Sequence, residues 1–333
     1  MMMLKRYRVL GILAVAFVFC TGWGFLVHRT VHQLAVYQLP RELQPFFSSN
    51  MAYLVENAVR PDVRRNTDST EGSKHFIDAE VFGDSALWKM PRDWNTAVAR
   101  FTRDSLVKYG YVPYWVMVTK ERLTNAFRQG HRDSILFYAA DLGHYIADAH
   151  VPLHTSVNYD GQLTGQKGLH HLWESAVPEL AIGDYRLYRK HKAAYLGRPQ
   201  EVIWQAVQRS YSLLPGVFGE ERTASGGMAD TVKYQMLTRY GRQMRSYTPA
   251  FAEAYNQRLG PTINEQLLLS AAAIADFWYT CWVDAGRPDL QPLLQQPWGR
   301  EQKKKWKKEQ KAYRNNQLVE KGLLLSRKYE REK

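Results

Sequence analysis

The chain has 333 residues, 45% hydrophobic and 23% charged, so it carries enough apolar side chain for a sizeable core and is neither a disordered nor a fibrous polymer. Its formal charge of +13 is uneven: residues 300–333 hold thirteen Lys/Arg against five Glu, and residues 23–299 are close to neutral. Cysteines occur only at Cys20 and Cys281, which excludes a disulfide-stapled scaffold.

Residues 1–22 open with Lys5, Arg6 and Arg8, continue through an apolar run from Val9 to Phe19, and end on the small residues Thr21 and Gly22. The run is too short to span a bilayer and has the build of an export signal. Cleavage before Trp23 would leave Cys281 as the single cysteine and place the protein in the periplasm or outside the cell. Lipidation at Cys20 is the less favoured reading, because bulky Phe19 precedes it.

After the signal, apolar residues recur at helical spacing in Val27–Leu39, Asn95–Lys108, Trp115–Arg128, Ser134–His150, Glu201–Leu214, Thr231–Arg245 and Thr262–Val283. Sustained period-two alternation is scarce, so the fold class expected is all-α, with one multi-helix domain over residues 23–290. Breakers fall at Pro40 and Pro45, Asn66–Ser73, Tyr159–Gly168 and Gly216–Gly227. The Pro-spaced segment Arg287–Trp298 reads as a linker, so residues 291–333 are expected as linker and basic helical tail. Such a tail is compatible with nucleic acid, anionic lipid or plain solubility, and a solvated helix is the favoured reading.

The densest chemistry lies in Gly143–His154. His144 and Asp148 are four apart on an expected helix, so both project from one face and can chelate one ion. Pro152 stops the helix, which frees His154 to face elsewhere. A second such pair, His170 and Glu174, follows within the next twenty residues. With His154 it forms a two-His, one-carboxylate set, a common ligand set for catalytic zinc that leaves a position for water. His32, His150 and His171 adjoin these residues and read as supporting or ordinary histidines; His131 and His191 lie in polar sequence and need no role.

The block His144-x3-Asp148-x3-Pro152-Leu153-His154, followed by Leu169-His170-x2-Trp173-Glu174, resembles the superfamily that joins bacterial zinc-dependent phospholipase C to the plant and fungal single-strand-specific zinc nucleases. Trp23 and His28 match the mature amino terminus of that family, Asp62 and Arg65 its Asp-x-x-Arg, and His75, Phe76 and Asp78 its His-Phe-x-Asp. The resemblance implies three zinc ions in one cleft. One would be held by Asp62, His75, His144 and Asp148. The second would be held by the Trp23 amino and carbonyl groups, His28 and Asp148, and the third by His154, His170 and Glu174. It further implies that Asp62 orients or deprotonates the nucleophile, that Arg65 holds phosphate oxygens, and that Phe76 and Asp78 receive a nucleobase, although for Phe76 taken alone core packing is the favoured reading.

Two departures bear on substrate. The segment between His154 and His170 is shorter than the Asn-Gly-rich insertion of the plant and fungal nucleases, and Glu174 stands where those nucleases usually have Asp. Against these, Arg65 and the Phe76/Asp78 pair resemble the nuclease branch, so the expected activity is a zinc-dependent nuclease or 3′-nucleotidase acting on single-stranded nucleic acid. The alternatives are phospholipase C-like cleavage of phospholipids and a non-catalytic zinc-stabilised binding protein. No obligate protein partner is implied.

Overall fold

The computed structural model describes residues 24–239 and 242–331. The export signal and Trp23 lie outside the described residues. The order of elements is helical almost throughout, in agreement with the all-α expectation.

Helix α1 (Phe25–Gln38) is the central element, with twelve of its fourteen residues buried. It has the all-round burial of a helix enclosed by others rather than one lying on a surface. Helix α2 (Met51–Asn57) packs on it, and a short turn, α3 (Arg60–Arg64), carries Pro61 near its start, where a missing N–H costs nothing. Two antiparallel neighbours follow, α4 (Val112–Arg128) and α5 (Arg132–Asp148), joined through Gly130 at positive φ. The expected helix Asn95–Lys108 is divided instead into Trp94–Phe101 and Arg103–Tyr109. Thr102 separates them at φ 64°, and its hydroxyl caps the second piece through the Ser105 N–H.

Pro152 ends α5 as expected, and His154 falls in the short 3-10 turn Pro152–Thr155. The next helical run contains a π-helical turn, Leu172–Ala176, which carries Glu174. Helices α6 (Pro199–Ser212) and α7 (Leu214–Ser225) complete this side. The Gly216–Gly227 stretch was expected as a connection. Most of it lies inside α7, because Val217 is fully buried and Leu214 nearly so.

The expected helix Thr231–Arg245 is not formed. Tyr234–Arg239 (β1) and Arg242–Tyr247 (β2) pair antiparallel, Tyr234 opposite Tyr247, across a two-residue connection that includes Gly241. Short length and a Gly-containing two-residue link favour a hairpin, and the apolar spacing alone did not distinguish the two. Helix α8 (Pro249–Asp284) then runs 36 residues through Pro261 and packs along α1, α4 and α5. Trp278 stacks on Phe47, meets His32 edge-on and donates to the Ala139 carbonyl.

The basic segment is helical, as expected, in α9 (Arg300–Arg314) and α10 (Leu325–Arg331). It is not a projecting tail. Trp306 and Tyr313 stack on Tyr37 at centroid distances of 5.2 and 4.8 Å, and the Trp306 indole donates to Gln44. Gln33 and Gln38 of α1 donate to the Leu323 carbonyl and the Tyr313 hydroxyl, so the segment supplies partners for polar groups of the central helix. Among the described residues no helix is long and apolar enough to cross a membrane.

Candidate metal centre

The site lies where the amino-terminal turn of α1 meets the carboxy-terminal end of α5 and the π-helical turn. Three groups of side chains there could each hold an ion: His28, His144 and Asp148; Asp62, His75 and His144; and His154, His170 and Glu174. Within each group the ligand atoms lie within 4.8 Å of one another.

Hydrogen bonds decide which ring nitrogens carry lone pairs. His144 Nδ1 faces the Ala58 carbonyl at 2.8 Å, and a carbonyl can only accept. In the neutral ring Nε2 is then unprotonated, and it points at His75 Nδ1 (3.1 Å), Asp148 Oδ2 (3.2 Å) and Asp62 Oδ1 (3.7 Å). His154 repeats the logic. Its Nδ1 donates to the His75 carbonyl at 3.0 Å, so Nε2 offers a lone pair toward His170 Nε2 (2.9 Å) and Glu174 Oε2 (3.6 Å). His170 Nε2 lies 2.7 Å from the same carboxylate oxygen. Lone pairs aimed at buried carboxylates, with the His144 and His154 rings each held from behind by a backbone oxygen, form a metal-ligand arrangement with part of its outer support in place.

Asp148 is the shared element. Its Oδ2 faces His75 (2.9 Å) and His144, and its Oδ1 faces His28 Nε2 (3.5 Å) and His154 Nδ1 (3.4 Å). Glu174 is shared as well, a feature the spacing did not indicate: one oxygen serves His154 and His170, and the other lies 3.5 Å from His28 Nε2.

Electrostatics point the same way. Burial alone would raise the Asp148 and Glu174 carboxyl groups, yet the surrounding histidines hold both well below the usual carboxylate range. Burial alone would lower His75, yet Asp148 drives it up to about 9, and His28 and His170 are raised against burial by Glu174 and neighbouring carboxylates. The pocket therefore demands positive charge. His28 Nδ1 and His75 Nε2 are buried without a hydrogen-bond partner, a further sign that these rings are placed for something other than protein contacts. The donor set of imidazole and carboxylate fits zinc.

Arg65, Phe76 and Asp78 are placed differently from the ligands, and Asp62 belongs both to the second ligand group and to the rim. Asp62, in α3, lies within 3.7 Å of both His75 and Arg65, and the Arg65 side chain is 52% exposed. Phe76 is half-buried and stands outside the hydrophobic core, and Gly110 packs against its backbone at φ 84°, a position where a Cβ would meet the Phe76 carbonyl at 2.3 Å. Asp78 is also half-buried, and burial together with Glu80 raises its carboxyl to about 6.

Other contributors were not read from the sequence. Glu71 is buried beneath the site, accepting from Arg64, Lys74 and Tyr145, with Oε1 3.6 Å from His75 Nε2. Its place four residues before His75 was the available signal. Gly24, at φ 77°, packs so closely on Glu174 that a Cβ would lie 2.3 Å from Oε1, and its N–H donates to the Ser175 hydroxyl at 2.6 Å. Gly143 leaves room for the His32 ring, which packs against the His28 carbonyl. His150 donates to the Ile146 carbonyl, His131 caps α5 and His191 pairs with Asp276, so none of these three belongs to the centre.

The sequence model of the S1/P1 nuclease family matches residues 23–278, and the chain belongs to that family. A characterised relative, nuclease S1 of Aspergillus oryzae, is 28% identical over 184 residues. The match takes in 50% of this chain and 58% of that protein, so it spans little more than half of the relative's length. Among solved structures, alpha toxin from Clostridium absonum aligns with a TM-score of 0.46 at 11% identity, over 81% of this chain and 65% of that one.

Proposed function

We propose that this protein is an exported zinc-dependent phosphoesterase that cleaves single-stranded nucleic acid or removes 3′-phosphate from nucleotides. The observation that carries the reading is the convergence of three imidazole–carboxylate clusters on the shared carboxylates of Asp148 and Glu174. A structural zinc site needs one closed set of four ligands, whereas this cleft holds several incomplete sets side by side. Membership of the S1/P1 nuclease family and likeness to a protein named nuclease S1 support nucleic acid as the substrate.

In this reading Asp62, His75, His144 and Asp148 hold one zinc ion, His154, His170 and Glu174 another, and His28 and Asp148 a third, completed by the amino and carbonyl groups of Trp23 at the mature amino terminus. The placement of Gly24 against Glu174 and Ser175 supports a chain start beside His28. Zinc in such a site lowers the pKa of a coordinated water and neutralises phosphoryl charge.

The remaining work belongs to this chain's own side chains. Asp62, partly exposed, accepts the proton of the attacking water or orients it. Arg65 offers a planar fork to two phosphate oxygens, and its exposed side chain, 3.7 Å from Asp62, is within reach of substrate bound there. Phe76 presents a ring outside the core on which an unpaired base can stack, and Asp78 accepts from the base edge.

The test is hydrolysis by the purified mature protein of single-stranded DNA, RNA, 3′-nucleotides and phosphatidylcholine, before and after chelation, with metal analysis and amino-terminal sequencing. The expected result is chelator-sensitive cleavage of nucleic acid, about three zinc ions per chain and a start at Trp23. Hydrolysis of phosphatidylcholine without nuclease activity would overturn the substrate reading. Metal-free protein with full activity would overturn the mechanism.

A further inference from the structure

We infer that the outward face of α9 is a binding surface for the phosphate backbone of a nucleic acid strand, separate from the metal cleft. The inference rests on the nuclease reading above for the identity of the polyanion. Arg300, Lys303, Lys304, Lys307, Lys308, Lys311 and Arg314 are spaced i, i+3, i+4, i+7, i+8, i+11 and i+14, which is the spacing of a single helix face. All seven are exposed; Glu309 lies on the opposite side of the helix, and Glu301, in the first turn, borders the stripe without interrupting it. Four pairs of these like charges stand at i,i+4, which disfavours the helix that carries them. Solubility alone would be met by alternating signs, and a Glu at any of these exposed positions would relieve the repulsion without touching the core. A one-sign stripe along a rigid helix is the arrangement that a polyanion stabilises.

The other face of α9 explains why the partner is a phosphate chain rather than a bilayer interior. Trp306 and Tyr313, the large apolar residues of the helix, are buried against Tyr37, so no apolar side is left to enter a membrane. The docking also sets the helix at a defined place. Tyr37 is nine residues along α1 from the metal-site residue His28, a separation of about 14 Å. The stripe itself is about 21 Å long. Exposed Lys190 and Lys192 flank Arg189, whose carbonyl accepts from the Tyr313 hydroxyl near the carboxy-terminal end of α9. In this proposal a strand of several nucleotides touches α9 and the cleft together, and a dinucleotide, shorter than the separation between Tyr37 and His28, does not.

The experiment compares the mature wild-type protein with K304Q/K307Q/K308Q/K311Q, in which four charges are removed, helix-forming residues are retained and nothing buried is changed. Kinetics are measured on a dinucleotide and on a 30-mer single strand between 50 and 200 mM salt, and binding to a phosphorothioate 30-mer is followed by fluorescence anisotropy. Binding to phosphatidylglycerol vesicles is measured in parallel. The expected result is a rise of tenfold or more in KM for the 30-mer at low salt, with kcat and the dinucleotide kinetics unchanged. The salt dependence of 30-mer binding should become shallower by about three in the log–log slope, near 0.7 per lost phosphate contact. An unchanged KM, affinity and salt slope for the 30-mer would overturn the inference. So would loss of vesicle binding with 30-mer binding intact, which would assign the face to anionic lipid. If the wild-type protein binds the 30-mer through α9 but cleaves no nucleic acid, the surface stands and the nuclease reading falls.

Discussion

The buried half of the metal centre and its rim are built by opposite means. His28, His75, His144, Asp148 and Glu174 are each no more than 4% exposed, with the Ala58 carbonyl behind the His144 ring and Glu71 behind His75. Asp62, a possible ligand at the rim, lies on the five-residue turn α3, Arg65 directly after it, and Phe76 and Asp78 in the irregular stretch that follows His75, all four half-buried or exposed. Metal ligands must be held in place before the ion arrives, so their scaffold is rigid and any loss is felt by the fold. Groups that meet substrate need access, so they belong to segments whose side chains contribute little to the core. The difference predicts which substitutions unfold the protein and which only silence it.

The largest effect is expected at Asp148. Asp148→Asn should remove more than one zinc ion and lower stability by about 3–5 kcal/mol, because it leaves several buried imidazoles without the charge that pairs them. Metal analysis and a melting curve check both; loss of a single ion with unchanged melting would break the bridging role. Asp62→Asn and Arg65→Ala form the contrasting pair. Each should lower kcat and kcat/KM together by about 10²–10⁴-fold while the helical spectrum stays near wild type; melting should be unchanged in Arg65→Ala and should fall less in Asp62→Asn, which removes one ligand of one ion, than in Asp148→Asn. Wild-type turnover in both would remove Asp62 and Arg65 from the chemistry.

Acid should act on the scaffold before the rim. Burial pushes His150 down to about 4 and His32 to about 3, so both are neutral in the fold, whereas in the unfolded chain they titrate near 6.5. The unfolded state then binds more protons between those values. Stability contributed by these groups is complete above about pH 6.5 and is lost as pH falls toward 4. Metal ligation by imidazole weakens in the same direction. Thermal denaturation of the zinc-loaded protein should show a melting temperature that falls from pH 7 to pH 5, corresponding to a loss of stability on the order of a few kcal/mol. A flat profile would place the buried protons elsewhere.

Two smaller effects sharpen the comparison. Gly24→Ala should cost about 1–3 kcal/mol, from the positive φ and the contact with Glu174, and should appear as weaker zinc retention under dilute chelator. Equal retention in the variant and the wild type would show that the turn relaxes freely. Phe76→Ala should weaken cleavage of nucleotide substrates by about 1–3 kcal/mol, the stacking energy of one base, with melting little changed. A drop in stability in place of that loss would return Phe76 to a packing role.

Local spacing made half of the centre legible. His144 with Asp148, and His170 with Glu174, are four apart, and helical geometry alone puts each pair on one face. Pro152 ended α5 where a proline must, releasing His154. The apolar periodicity foretold most of the helices, because a buried stripe repeats every 3.6 residues wherever a helix meets a core. It misread residues 231–245, where a short apolar pattern fits a hairpin as well as a helix and only pairing between strands chooses.

What spacing cannot express is approach between residues far apart in the chain. That His75 Nδ1 meets Asp148, that Glu174 reaches both His28 and His170, and that Glu71 stands behind His75 depend on how α1, α3, α5 and the π-helical turn converge. The close seat of Gly24 on Glu174 joins positions 150 residues apart and leaves no periodic trace. The carboxy-terminal segment shows the same division. Its charge and helicity are written in its composition, since Lys, Arg, Glu and Gln favour a helix and exclude a core. Its docking depends on two aromatic rings finding Tyr37 across the fold, a contact set by the shape of the assembled surface, which one-dimensional pattern does not carry.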